Sequence, residues 1–324
     1  MLSWMAMKGL FERGPVFTNR IQAVGMLAKY HATNSGVGPL CGFIGHNWEW
    51  RWREKPVVDF LKSVIKNNPV RAVRAQAIYA LGRLDANKSE QLAIFENWSK
   101  APFYAKDLTT SDLAEMPTFG SSQQAAAEAE HDFNEVIAHY DDCLDLRELR
   151  SPKEEAPLLK KLAEENLFAL EHFSLGKEVP EIAAEGVDGK KFKLSDSRGK
   201  ICVLNFWAFW CGPCMQMVPV ERALAQRMQG KSFALIGVNG DAILPDAKHA
   251  MEREKMAWPS FWNGKEGPGG PIATAWNVHG WPTIFVLDAK GIIRFKYEGY
   301  GNQSSNVLNG CVDELMKNLP AKYP

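Results

Sequence analysis

Two runs, ICVLNFW at residues 201–207 and SFALIGVNG at 232–240, constrain the fold of this chain more than any other feature. Each is apolar almost throughout, where a strand with one wet face would alternate. Each therefore reads as a strand buried on both faces. Between them, MVPVERALAQRMQG reads as a helix stopped by Gly230. DAKHAMEREKMA (246–257) reads as a second helix, and WPTIFVLDAKGIIRFKYEG (281–299) as two strands around the turn Ala289–Lys290–Gly291. SNVLNGCVDELMKNL (305–319) reads as a closing helix. Upstream, GKEVPEIAAEGVDGKKFKLSDSRGK (176–200) carries short alternating runs and an Asp188–Gly189 turn signal, the mark of a hairpin. The order βαβαββα behind a hairpin predicts a mixed central sheet with helices on both faces.

Residues 1–175 have a different texture. Phe17, Ile21, Val24 and Ala28 fall at helical spacing, as do Val57, Phe60, Leu61 and Val64 between Pro56 and Pro69. VRAVRAQAIYALGRL (70–84), SEQLAIFENWSK (89–100), the long stretch 121–150 and APLLKKLAEENLFALEHF (156–173) continue the pattern. Strand-like alternation is nearly absent. The expected organisation is an all-helical domain over 1–175, with one helix of helical-repeat character, followed by an α/β domain over 176–324. Segment 31–52 reads as a long loop whose Trp48, Trp50 and Trp52 pin it to the helices, with a partner-binding surface as the other reading.

Lys+Arg and Asp+Glu are both 38, so the formal charge is zero and the global field that draws a protein to nucleic acid or an anionic membrane is missing. No apolar run is long enough to span a bilayer, and the first residues show no signal peptide pattern. Six cysteines in 324 residues are too sparse for a disulfide-built scaffold.

The chemistry concentrates in Cys211–Gly212–Pro213–Cys214. A zinc site needs two further ligands, yet no second Cys-x-x-Cys and no His pair at zinc spacing follows, so no metal is expected. A purely structural disulfide across two residues closes a very small loop and gains little. A redox pair fits better. The buried strand ends at Trp210 and a helix starts at the cysteines, where free N–H groups and the helix dipole favour a thiolate. Pro213 pre-sets the first helical turn. Cys211, at an exposed lip, is the expected attacking sulfur, and Cys214, one turn inside, the resolving one.

These residues resemble the thioredoxin superfamily. VLNFWAFWCGPC is similar to the active-site strand and turn of its TlpA/ResA-type thiol–disulfide oxidoreductases, and GWPTIFVLDAKG to that family's cis-proline strand. The resemblance covers about 176–319. It implies a thioredoxin-like fold, a cis Pro282 against the disulfide, and Trp281 presenting its backbone to a substrate chain, with Trp210, Gly212 and Pro213 completing the docking surface. It implies protein substrates carrying disulfides or dithiols, an upstream thiol reductant, no cofactor, and work in the cell envelope. Asn205 stands where thioredoxin has a buried Asp, and Met217 where some relatives carry a Glu, so no proton acceptor for Cys214 is assigned. Glu221, two turns along, is expected at the surface. Ala208 replaces the Thr that peroxiredoxins need three residues before their reactive Cys.

The other cysteines read as inert. Cys202 and Cys311 are expected in the core, and Cys41 and Cys143 could pair in an oxidising compartment. NGKEGPGGP (263–271) lacks phosphate-loop spacing and reads as a loop near the active-site rim. The expected function is thiol–disulfide exchange, in the reductive direction. The alternative is a helical adaptor carrying a thioredoxin-fold scaffold or redox-sensor module.

Overall fold

A computed structural model describes residues 15–46, 55–105, 110–146, 156–299 and 304–319. Contacts divide the chain into two compact units. One comprises Met1–Ala93 with Met116–Leu170, the other Ile94–Glu115 with Glu171–Pro324. This differs from a single cut at 175, because segment 94–115 belongs with the C-terminal unit.

Helices α1 (Pro15–Tyr30), α2 (Gly38–His46), α3 (Lys55–Asn67), α4 (Arg71–Trp98), α5 (Pro102–Ala105), α6 (Thr110–Glu115), α7 (Ser122–His139) and α8 (Leu159–His172) come first in the chain. In the first unit α1 packs on α3, where the Ser63 hydroxyl donates to the Ala28 carbonyl at 3.1 Å. Tyr79, Phe133, Val136 and Leu159 form a buried cluster from α4, α7 and α8. The stretch expected as a loop contains α2. Its glycines lower helix propensity but allow close packing, since a Cβ on Gly45 would come within 3.0 Å of the Ala80 Cα. Trp48, Trp50 and Trp52 lie outside the described residues. The two helices expected over 70–84 and 89–100 are one, α4, because no Gly or Pro interrupts Asp85–Lys88. Cys41 and Cys143 are both free thiols, so the pairing considered for them is not made.

In the second unit β1 (Ala183–Glu185) and β2 (Lys191–Lys193) form the hairpin. Then follow β3 (Ile201–Trp207), α9 (Gly212–Arg227), β4 (Phe233–Asn239), α10 (Leu244–Arg253), β5 (Ser260–Trp262), α11 (Pro271–Ala275), β6 (Thr283–Leu287), β7 (Ile293–Glu298) and α12 (Ser304–Lys317). The sheet order is β5-β4-β3-β6-β7. β3, β4 and β5 run parallel, while β6 is antiparallel to both β3 and β7. This is the thioredoxin-like mixed sheet, with one more edge strand, β5, than the sequence pattern revealed.

Pleating sorts β3 onto two faces. Val203 and Trp207 join Val218 and Leu224 of α9 and Cys311 and Val312 of α12 in one core. Phe206 turns the other way and meets Trp276, whose centroid lies 5.8 Å off. Trp98 enters the first core from α4: its indole N–H donates to the Arg294 carbonyl at 3.0 Å and its ring lies 5.3 Å from Phe103. That packing is why segment 94–115 groups with the sheet. Among the described residues no helix is long and apolar enough to cross a membrane.

Candidate active site

Strand β3 is fully buried along its length and ends at Trp207. The chain then turns through Ala208, Phe209 and Trp210 before α9 begins. Four polar contacts pin this turn. The Phe209 N–H donates to both carboxylate oxygens of Asp241, at 3.1 and 3.0 Å. Asn239 Nδ2 donates to Asp241 Oδ2 at 2.7 Å, and the Trp262 indole to the Asp241 carbonyl at 2.8 Å. Asp241 and Asn239 are buried, so the geometry is held away from competing water. Sequence reading passed over both, because Asn239 ends β4 and Asp241 follows it, where polar residues are ordinary.

Cys211 and Cys214 are joined as a disulfide, with Cα atoms 5.2 Å apart. Cys211 is the N-cap of α9, and its Sγ accepts the Cys214 backbone N–H at 3.1 Å. A sulfur in that place takes up a free donor of the first helical turn, the interaction that favours a thiolate once the bond is reduced. Cys211 keeps 4% of its surface and Cys214 none. The exposed lip expected at Cys211 is instead nearly closed, and it is Trp210 beside it that stands 54% exposed.

The Trp281–Pro282 peptide bond is cis. Phe206 pairs with Thr283 across the β3–β6 ladder, so the bond lies opposite residues 207–208, just before the cysteine turn. The Trp281 ring packs edge-on to Trp210 at 6.1 Å and to Phe206 at 6.2 Å. Gly240 makes room for it, since a Cβ there would sit 2.5 Å from the indole. The loop at 263–271 follows β5 at the same end of the sheet. Asn263 braces it, accepting the N–H groups of Ile272 and Ala273 at 2.9 Å each.

Glu221 corrects the sequence reading. It is fully buried, and Asn205 Nδ2 donates to its Oε1 at 2.6 Å. Burial pushes the carboxyl up to about 8, an effect the Asn205 hydrogen bond only partly offsets. Glu221 Oε2 and Asn205 Oδ1 have no hydrogen-bond partner among the described residues. The signal was present: Cys214, Met217, Val218 and Glu221 follow the i, i+3, i+4, i+7 rule, so Glu221 shares the buried face. Met217 is buried too, with its sulfur 3.6 Å from the Tyr297 hydroxyl.

Cys202 and Cys311 are buried in the core as expected, and burial raises both thiols, Cys202 to about 12. They cannot supply thiolate at neutral pH. Among the described residues no group of three or more His, Cys, Asp or Glu is arranged to hold a metal ion.

A Cys–Gly–Pro–Cys disulfide at the start of a helix, across from a cis-proline on a mixed sheet, defines a thioredoxin-like thiol–disulfide oxidoreductase. The AhpC/TSA family matches residues 175–296. Thiol-disulfide oxidoreductase ResA of Bacillus cereus is 28% identical over 145 residues, covering 45% of this chain and 80% of that protein. The thioredoxin-like protein YneN of Bacillus subtilis is 31% identical over 122 residues, covering 37% of this chain and 68% of that protein. A solved thiol:disulfide interchange protein of the thioredoxin family from Chlorobium tepidum shares 25% identity, with a TM-score of 0.38, over 43% of this chain and 95% of its own. Through its C-terminal part, which carries the AhpC/TSA match, the chain belongs to the thioredoxin-like, ResA-type thiol–disulfide oxidoreductases.

Proposed function

We propose that the protein reduces disulfides in other proteins. Reduced Cys211, as thiolate, attacks one sulfur of a substrate disulfide and releases the other as a thiolate. Cys214 then attacks Cys211 Sγ, frees the second substrate thiolate and leaves the Cys211–Cys214 disulfide. Two electrons pass to the substrate, and an upstream dithiol restores the pair. Trp210, Gly212 and Pro213 form one side of the docking surface, and Trp281 and Pro282 the other, where the Trp281 backbone pairs with the substrate chain. The observation that carries this reading is the N-cap position of Cys211, whose sulfur accepts the Cys214 N–H.

Cys214 must lose a proton before it can resolve the mixed disulfide. Glu221 is our candidate for the group that takes it up. It lies about 10 Å along the same face of α9, at 1.5 Å per residue, too far for direct transfer. Burial raises its pKa to about 8, so it can accept a proton near neutral pH, with a bridging water carrying the proton across the gap from Cys214. Asn205 orients the carboxyl and does not itself titrate.

The ResA likeness favours the cell envelope as the place of work. We further assign partner choice to the N-terminal helical region, the part of residues 1–175 that lies outside the redox unit, namely Met1–Ala93 with Met116–Leu170. The test is insulin reduction with trapping. Cys214→Ala should accumulate mixed disulfides through Cys211, and Cys211→Ala should lose turnover. Undiminished reduction by Cys211→Ala would end the proposal.

A further inference from the structure

The second unit carries a pocket of about 740 Å³ built by the β1–β2 hairpin, the C-terminal half of α9, the first half of β4 and residues 255–259. It lies at the end of the sheet where β3 and β4 begin, opposite the cysteine turn. Three properties coincide there.

The first is charge. In a chain of zero net charge, this pocket is lined by seven basic residues against two acidic ones. Lys190 is engaged by Asp188 at 3.5 Å and Arg222 by Glu254 at 3.9 Å. Lys191, Lys193, Lys200, Lys231 and Lys255 have no carboxylate within ion-pair distance among the described residues. Like charges gathered without counter-charges are unfavourable unless an anion joins them.

The second is a strand edge that no described strand pairs, at which Leu235 keeps 5% and Ile236 4% of their surface. β5 pairs with β4 only over Gly237–Asn239, so Phe233–Ile236 has a strand on one side alone. The parity of the ladder is fixed by two hydrogen bonds. Ile201 N–H donates to Ser232 O, and Gly237 N–H donates outward to Pro259 O. Ala234 and Ile236 therefore bond to β3, and the Leu235 N–H and C=O turn outward into the pocket wall. No partner among the described residues takes them.

The third is an apolar floor with orphaned donors. Phe192, Phe233, Leu235 and Trp258 line it. Among the described residues the indole N–H of Trp258 and the Arg222 Nε–H have no hydrogen-bond partner, although both atoms are buried.

We infer that this pocket binds an extended acidic segment of a partner protein, which adds beside the free edge of β4 and sets its carboxylates against the lysine rim. A small amphiphilic anion would answer the lysines and the apolar floor but would leave Leu235 unpaired. An extended chain answers all three, with backbone groups for the edge and alternate side chains for the floor and rim. The site is remote from the cysteines, so its occupation does not depend on the redox reading.

The experiment measures fluorescence anisotropy of a labelled short peptide of alternating Glu and Val with the full-length protein. Saturable, salt-sensitive binding is expected. K191E/K193E/K200E should weaken it roughly tenfold or more while leaving insulin reduction unchanged. N-methylation of alternate peptide nitrogens should weaken it comparably, and Cys211→Ser should not alter it. The inference is overturned by absence of binding, or by affinity that survives both the charge reversals and N-methylation. It is also overturned if dodecanoate or phosphatidylglycerol vesicles bind in a lysine-dependent way while the peptide does not.

Discussion

Glu221 is one buried carboxyl that bears on stability and, in the proposed mechanism, on chemistry. Its folded pKa of about 8 lies above the ordinary 4.5, so the native state holds a proton that the unfolded chain releases earlier. The stability it allows is therefore complete below about 4.5 and is lost as pH rises to about 8. At about 1.4 kcal/mol per pKa unit the loss amounts to a few kcal/mol. Glu221→Gln should flatten denaturant-measured stability across that window and raise it above pH 8 relative to the parent. It should also remove one ionisation from the pH–rate profile of reduction, an effect that a purely structural role would not give. Gly240 acts at the same scale by steric room. Gly240→Val pushes a side chain into the Trp281 indole and should lower reduction of a protein substrate roughly ten- to hundredfold. The sequence carried the spacing that buries Glu221 but its charge pointed to the surface, and it carried no sign of the role of Gly240. Glu221 is polar on an apolar face, and Gly240's neighbour is remote in sequence.

At the scale of elements, long apolar runs were legible and short or polar ones were not. β3, β4 and β6 declare themselves because burial on both faces demands unbroken hydrophobicity, and β7 by its alternation after the Ala289–Lys290–Gly291 turn. β5 has only three residues, too few for any period to register, and it exists because Gly237 N–H and Asn239 O find partners in Pro259 and Asn263. The turn 208–210 depends on Asp241, whose carboxylate takes the Phe209 N–H. Asp241→Ala leaves that donor and Asn239 Nδ2 unpaired in a buried place. It should cost about 1–3 kcal/mol in chemical denaturation and loosen the placement of Cys211. The fusion of two expected helices into α4 has the converse cause: without a breaker at Asp85–Lys88, tertiary packing continues a helix that periodicity alone divides.

For the whole molecule, the change of texture at Gly176 marked the change of architecture but not the limits of the packing unit. Trp98 and Phe103 precede the family match, yet they pack in the core that holds the cysteines. Trp98→Ala should destabilise the redox unit by about 3–5 kcal/mol, seen as earlier loss of the Cys211–Cys214 environment in thermal unfolding. The central claim is that the cap of α9 holds Cys211 as the working nucleophile. Its most direct test is the pH dependence of alkylation of the reduced protein, with the modified position mapped by mass. Cys211 is expected to react first, with an apparent pKa well below the roughly 8.5 of an ordinary thiol. Cys211 titrating near 8.5, or Cys214 reacting ahead of it, would contradict the account.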